Sequence, residues 1–380
     1  MQHRFSFVGS VAFAAALLLE PRASACGGML AQEESQKAAL SAQRVLVAEG
    51  EEHTAVVVSV GYEGARGDNA FVLPLQKEPK QIADADPKLF DELENLTAPR
   101  IHVFDSTAKH PGSSGCGCGG LEKAAAAPGG GGADDSVRVV LKGQTETYQY
   151  VVVGGSSGSS IGEWLTREKF PVPKEVQGTL DGYATRGWVF LAARVRPKAG
   201  VGALAPISIH YEKLPPEQIE YPFALSAHSV AEGLRTEVVL YLAGPPAFLP
   251  KNYSVKRVAS AVRAVSPTTT NYPQLFADAT REGAFVLESG MPSLPSAMFA
   301  GMAGLSQGAR AFFPETITLA RLHGQLGKDQ LRDMTFRGAS AAEIELDPYI
   351  SVTWDPKAAP AGAGLLIGLS LLRRRGRKPR

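Results

Sequence analysis

RVLVAEGEEHTAVVVSVGY, residues 44–62, decides the fold class. Two valine-rich runs, residues 44–48 and 54–62, flank Glu49-Gly50-Glu51-Glu52, the layout of two strands joined by a charged turn. Residues 70–75 follow the turn at 64–69 and extend the pair into a meander. The same composition recurs at 101–104, 137–141, 147–153, 188–195, 207–211, 221–227, 236–242, 284–288 and 316–322. Short runs of Val, Ile, Tyr and Phe divided by Gly and Pro favour antiparallel sheets.

Helical signals are fewer. Asp86-Pro87 supplies a cap and a first-turn proline, and Leu89, Phe90, Leu93 and Leu96 then share one face. Ser160 can cap a helix over 161–169 that turns Trp164 and Leu165 inward. A third helix is expected over 271–282, burying Leu275, Phe276 and Ala279. A small-residue helix with Met298, Phe299, Met302 and Leu305 is expected over 294–312, weakened by its glycines. The expected fold is α+β, mainly β, with antiparallel sheets and a few short helices in one large domain or two intimately packed ones. Trp164, Trp188, Phe190 and Phe285 belong to its core.

The two ends carry an address. His3 and Arg4 precede an apolar run over 5–19, and Ala23-Ser24-Ala25 offers small residues three and one positions before a cut, so residues 1–25 read as a signal peptide. Cys26 then opens the mature chain, as a disulfide or lipid candidate; against acylation, the position three before it holds Ala23 where lipoproteins usually have Leu. Residues 361–372, AGAGLLIGLSLL, are apolar, and the basic tail 373–380 follows at once, which the positive-inside rule assigns to the cytoplasm. Even counted as 358–372 the segment is shorter than the roughly 20 residues a spanning helix needs, so it reads as a bilayer-thinning anchor or a processing signal. The expected location is extracytoplasmic, in the periplasm or at the surface, membrane-associated through the C-terminal segment or lipidated Cys26, or secreted after processing.

The 380-residue chain has 39 basic and 38 acidic side chains. Setting aside Arg4, Glu20 and Arg22 at one end and the six basic residues of the tail at the other leaves 31 basic against 37 acidic, a net of −6. No basic patch remains to neutralise phosphates, which disfavours nucleic acid as a partner.

Residues 111–135, PGSSGCGCGGLEKAAAAPGGGGADD, hold too little apolar surface to offset the entropy of ordering and read as a mobile loop. They divide a first β-rich block (26–110) from a second (136–355), as a linker or as an insertion in one fold. A faint echo relates Ser59 to Glu63 and Phe71 to Leu73 with Ser208 to Glu212 and Phe223 to Leu225, as a duplicated sheet unit or as two generic hairpins.

Taken together, several of these elements resemble one family. They are Ala25-Cys26-Gly27-Gly28, Val58-Ser59-Val60-Gly61-Tyr62-Glu63-Gly64, Asn69-Ala70-Phe71-Val72-Leu73-Pro74, Leu89-Phe90-Asp91-Glu92-Leu93 and Thr97-Ala98-Pro99-Arg100. Glu163-Trp164-Leu165, Gly187-Trp188-Val189-Phe190, Ala205-Pro206-Ile207, Asn252-Tyr253, Tyr272, Gly283-Ala284-Phe285-Val286 and the strand from Thr318 to His323 continue the pattern. In order and spacing they resemble the bacterial domain-of-unknown-function family 2330. The resemblance implies an exported bacterial protein and supplies no reaction; the loops at 119–133 and around 300–308 depart from it.

Three sites are conceivable. Cys116 and Cys118 can each pair with Cys26 in an oxidising compartment, or, with His110 and the more distant His102, can make a metal- or redox-responsive site whose spacing matches no common zinc pattern. Gly154-Gly155-Ser156-Ser157-Gly158 fits the nucleophile elbow between a strand and a helix, with Ser156 as nucleophile, His210, His228 or His323 as base and Asp278 as acid. Turn and capping chemistry explains the same residues, and an antiparallel sheet is the wrong frame for that hydrolase; an anion at the helix start is a third use. Asp84 with Asp86, and Glu343 with Glu345, read as caps or solvated faces. No cofactor is called for. The expected role is an envelope protein that acts by structure or interaction with an unknown envelope or surface partner; the alternatives are a serine hydrolase using Ser156 and a metal- or redox-responsive surface protein.

Overall fold

The computed structural model describes residues 43–59, 70–106, 137–170, 172–196, 204–230, 232–298 and 316–357. The signal-peptide region, Cys26, His110, Cys116, Cys118, the 111–135 stretch and residues 358–380 lie outside the described residues.

The opening hairpin forms as its sequence predicts: β1 (Gln43–Glu49) pairs antiparallel with β2 (His53–Val58) around a turn in which Gly50 N–H donates to the His53 carbonyl at 2.8 Å. Both strands are apolar at consecutive positions, and both faces are used. Val45, Val47, Val56 and Val58 enter one core while Leu46, Ala48, Ala55 and Val57 enter another. A strand of that kind has no solvent face, so the sheet containing it must sit between two further layers.

That sheet has eight strands in the order β13-β14-β15-β11-β1-β2-β9-β4. To the hairpin it adds β4 (Gln81–Asp84), β9 (Ile207–Glu212), β11 (Arg235–Gly244), β13 (Val255–Lys256), β14 (Phe285–Pro295) and β15 (Thr316–Gly327). A second, four-stranded sheet has the order β3 (Ala70–Leu75), β8 (Val189–Val195), β7 (Tyr148–Gly155), β6 (Val137–Gln144) and is antiparallel throughout. The two sheets face each other across a core of Phe71, Leu73, Tyr148, Val152 and Leu191 against Val45, Val56, Ile209, Leu240 and Leu322. Each such side chain removed from water contributes about 1.5–3 kcal/mol.

Helices close the sandwich on both outer faces. α2 (Gly158–Arg167) and α3 (Gln177–Thr185) cover the four-stranded sheet with Ile161, Trp164, Leu165, Leu180 and Tyr183. α1 (Leu89–Thr97) and α5 (Tyr272–Thr280) cover the far face of the eight-stranded sheet, through Leu89, Phe90 and Leu93 and through Phe276 and Ala279. The layers run helix, sheet, sheet, helix. A small sheet of β10 (Glu220–Tyr221), β16 (Met334–Ala339) and β12 (Ala247–Pro250) lies at the flank, and β5 (Arg100–Asp105) pairs only with β17 (Tyr349–Trp354) among the described strands.

The fold is α+β and mainly β, and Trp164, Trp188, Phe190 and Phe285 are all buried. Three pairings, β1 with β11, β13 with β14 and β5 with β17, are parallel, which the run-by-run reading did not foresee. Parallel neighbours need long crossovers; here the whole four-stranded sheet and its helices α2 and α3 lie between β1 and β11 in sequence. Strands on either side of residues 111–135 share sheets: β1, β2 and β3 pair with β11, β9 and β8.

Other differences are local. Ser157, three residues upstream of the expected Ser160, caps α2, and Asp86 accepts from Lys88 N–H in the turn before α1, which begins at Leu89. The expected strand over 221–227 yields only β10 before the chain turns into the one-turn helix α4 (Phe223–Ser226), because Pro222 withholds the donor a continuing strand needs. The echo therefore breaks: residues 71–73 are strand and 223–225 helix. Leu294 and Pro295, expected to start a helix, end β14; residues 296–298 are helical, and 299–315 lie outside the described set.

Gly290 in β14 forms a bridge with Leu346, and a Cβ there would fall on the Ile344 carbonyl. Gly290→Ala is expected to destabilise the protein by about 2 kcal/mol or more, read as a lowered urea midpoint with unchanged m-value.

Candidate functional site

β15 reads TITLARLHGQLG, and its alternate residues Ile317, Leu319, Arg321 and His323 point toward the α1/α5 layer. The first two fit an apolar face. The next two place a guanidinium and an imidazole on it. The Arg321 side chain is only 4% exposed and its Nη1 bonds Glu288 of β14, itself 2% exposed, while Nη2 donates to both Glu94 oxygens of α1 at 2.9 and 2.7 Å. His323 Nδ1 lies 3.1 Å from Glu288 Oε1, and its Nε2 lies 2.9 Å from Glu237 Oε1 on β11. Tyr241 donates to Glu94 at 3.0 Å and Tyr272 of α5 donates to Glu288. The result is one string, Glu94–Arg321–Glu288–His323–Glu237, that ties both covering helices to three adjacent strands.

Desolvation and pairing oppose each other in this string, and pairing wins. Burial pushes the Glu288 carboxyl up, but His323, Arg321 and the Tyr272 hydroxyl bring it below the usual carboxylate range. Burial pushes the His323 imidazole down, yet the hydrogen bonds and charges of Glu237 and Glu288 lift it to about 9. His323 is therefore an imidazolium at neutral pH, its ring tilted against the Phe276 ring with centroids 4.3 Å apart, and has no lone pair to accept a proton. Arg321 Nε is buried without a hydrogen-bond partner among the described residues.

The elbow residues lie in a different layer. Strand β7, the turn and α2 follow in the order that motif requires and Ser156 is exposed, but the start of the helix is already filled. Ser157 Oγ accepts from Ser160 N–H, and the Asp181 carboxylate of α3 accepts from Gly158 N–H at 2.6 Å and Ser159 N–H at 3.2 Å. An internal carboxylate thus occupies the place an anion would take. The three histidines proposed as base have other partners: His228 bonds Thr179 at 2.8 Å, His210 bonds Ser208 at 2.9 Å, and His323 belongs to the string. Burial and His53 bring the His210 imidazole down to about 4. Asp278 pairs with Arg281. Among the described residues no hydrogen bond joins Ser156 to a histidine.

His102, drawn into the metal reading, stacks on Tyr349 at 6.5 Å. Among the described residues no group of three or more His, Cys, Asp and Glu is placed to hold a metal ion. Of the carboxylate pairs, Asp84 on β4 accepts from Thr145 Oγ1 and Thr147 N–H in the turn between β6 and β7, and Glu343 closes a capping box with Ser340. Glu49 stands apart. Burial pushes its carboxyl up to about 7, partly offset by Lys213 4.0 Å away, and its Oε2 has no hydrogen-bond partner among the described residues.

The geometry defines a four-layer, mainly β protein in which the buried groups of the Glu94–Glu237 string are spent on one another, while Glu49 stands outside it. The chain belongs to the family described as "Uncharacterized protein conserved in bacteria (DUF2330)", which matches residues 20–268. Glu94, Glu237 and Tyr241 fall inside that match; Tyr272, Glu288, Arg321 and His323 fall beyond it. No curated protein matches the chain. Among solved structures, a mutated baculovirus P35 after caspase cleavage, at 3.1 Å, is 9% identical with a TM-score of 0.32, covering 78% of this chain and 97% of that one. Baculovirus P35 itself is 10% identical with a TM-score of 0.31, covering 79% and 96%. The first of these likenesses, another cleaved P35 at 2.7 Å, is 10% identical with a TM-score of 0.29, and the chain spans 64% of its length. Likenesses this weak carry nothing further.

His323 has a folded-state value above its ordinary 6.5, so the stability it contributes is fully present below pH 6.5 and is lost as pH rises through 9, on the order of 3 kcal/mol in all. Glu49, raised from 4.5 to about 7, gives a separate loss between those values as its buried carboxyl ionises. Urea unfolding of His323→Gln at a series of pH values is expected to lack the alkaline loss and keep the acidic one.

Proposed function

We propose that this is an exported bacterial envelope protein that acts by structure or interaction, its sandwich held outside the cytoplasmic membrane. The observation that carries the reading is the pair of end segments. Residues 1–25 have the charge, apolar core and small-residue cut of a secretion signal, and the apolar residues 358–372 are followed by six basic residues within 373–380. Among the described residues no helix is long and apolar enough to cross a membrane.

A non-catalytic role suits the charged string. An acid–base catalyst needs a group poised to gain or lose a proton beside an open site; here each carboxylate meets a cation or a tyrosine hydroxyl. The body is a rigid scaffold, and its turns and edges face the unknown envelope partner.

Intact mass of the protein from the membrane fraction tests the address. A chain beginning at Cys26, with any acyl group or cysteine bridge read from the same mass, is expected; a cytosolic polypeptide that keeps Met1 contradicts export. A fluorophosphonate probe tests the chemistry: no label that depends on Ser156 is expected, and a label lost in Ser156→Ala establishes the hydrolase in its place.

A further inference from the structure

The β5/β17 ribbon stands outside the four layers. None of its side chains belongs to the buried clusters of the described residues. An isolated two-stranded ribbon is marginal in water, and this one is apolar on one face. The parallel register sets Ile101 beside Ile350 and Val103 beside Val352, with Trp354 next along that face, all half-buried. On the other face Phe104 is 48% and Tyr349 53% exposed. Tyr349 is held there by Arg100, which donates to its hydroxyl at 2.6 Å.

Because the strands are parallel, both finish at one tip, where Phe104 and Asp105 lie beside Thr353 and Trp354. From that tip only residues 355–357 separate Trp354 from the apolar stretch 358–372. Fifteen residues would reach about 22 Å as a helix, short of the roughly 30 Å hydrocarbon core. A short segment draws its flanks into the interface, where tryptophan and tyrosine are favoured. Asp105 and Asp355 against Arg100 and Lys357 leave the ribbon without net charge, so the contact is hydrophobic rather than electrostatic.

We propose that the apolar face and tip of the β5/β17 ribbon form a membrane-contact surface that rests in the headgroup region of the bilayer where residues 358–372 enter it. The inference rests on reading 358–372 as a membrane segment, and the test separates the two.

The chain from Cys26 to Arg380 is reconstituted with vesicles of phosphatidylcholine, with and without phosphatidylglycerol, whose acyl chains are brominated near the headgroup. Trp164 and Trp188 are buried in the body beneath α2 and α3, so lipid quenching reports Trp354. The expected result is that the protein floats with both vesicle types and loses up to about a third of its tryptophan emission, the share of one tryptophan in three, and that Trp354→Phe floats without that loss. Flotation without quenching overturns the ribbon contact and leaves the anchor standing; failure to float overturns both. Quenching that persists in Trp354→Phe overturns the assignment. A dimer that shields Trp354 from acrylamide without lipid means that a second copy covers this face, and overturns the proposal.

Discussion

A guanidinium placed in the middle of an apolar sheet face must be answered by carboxylates or the layer above it cannot close. Leaving Arg321 unpaired in that environment would cost about 3–5 kcal/mol. The chain answers with Glu288 from the adjoining strand and Glu94 from the covering helix, each held by a tyrosine hydroxyl. α1 is thereby fixed by more than Leu89, Phe90 and Leu93, since its Glu94 must reach a fixed point on β15. α5 is fixed in the same way by Tyr272 and by Phe276 over the imidazole. One buried cation sets where two helices sit on a sheet that would otherwise offer them only a smooth apolar surface.

The string also explains why the sheet face beneath these helices is asymmetric. Toward α1 it is largely apolar, with Leu46, Val57, Val239 and Leu319, and meets charge where Arg321 and Tyr241 reach Glu94; toward α5 it becomes ionic. A buried ion pair is weak evidence for net stability, since an apolar replacement of similar volume often does as well. Its more direct consequence is positional: the partners are matched in geometry, and a helix shifted by one turn would strand a charge.

Much of the scaffold was legible in the sequence. The valine runs of β1 and β2, the inward faces of α1 and α2, and the four large aromatics are read directly from composition and period. The parallel partners were not, because pairing between residues 43–48 and 238–243 is a property of topology. The helix α3, with two glycines and little apolar periodicity, gave no usable signal. The charged string was missed although a clue was present: Arg321 and His323 continue the alternation begun by apolar Ile317 and Leu319 in one strand, and Glu288 interrupts FVLESG in the same manner. The reading weighed His323 only as a partner for Ser156, a motif match that geometry resolves into helix capping by Ser157 and Asp181.

The claim that this string is a single coupled clasp is tested most directly by a double-mutant cycle on Arg321→Met and Glu288→Gln, read by equilibrium urea unfolding at pH 7. The account predicts strong non-additivity: each single change strands a buried partner, and the double variant recovers about 2 kcal/mol or more of the summed loss. Losses that add to within about 0.5 kcal/mol would contradict it, because residues that do not share a network behave in that way.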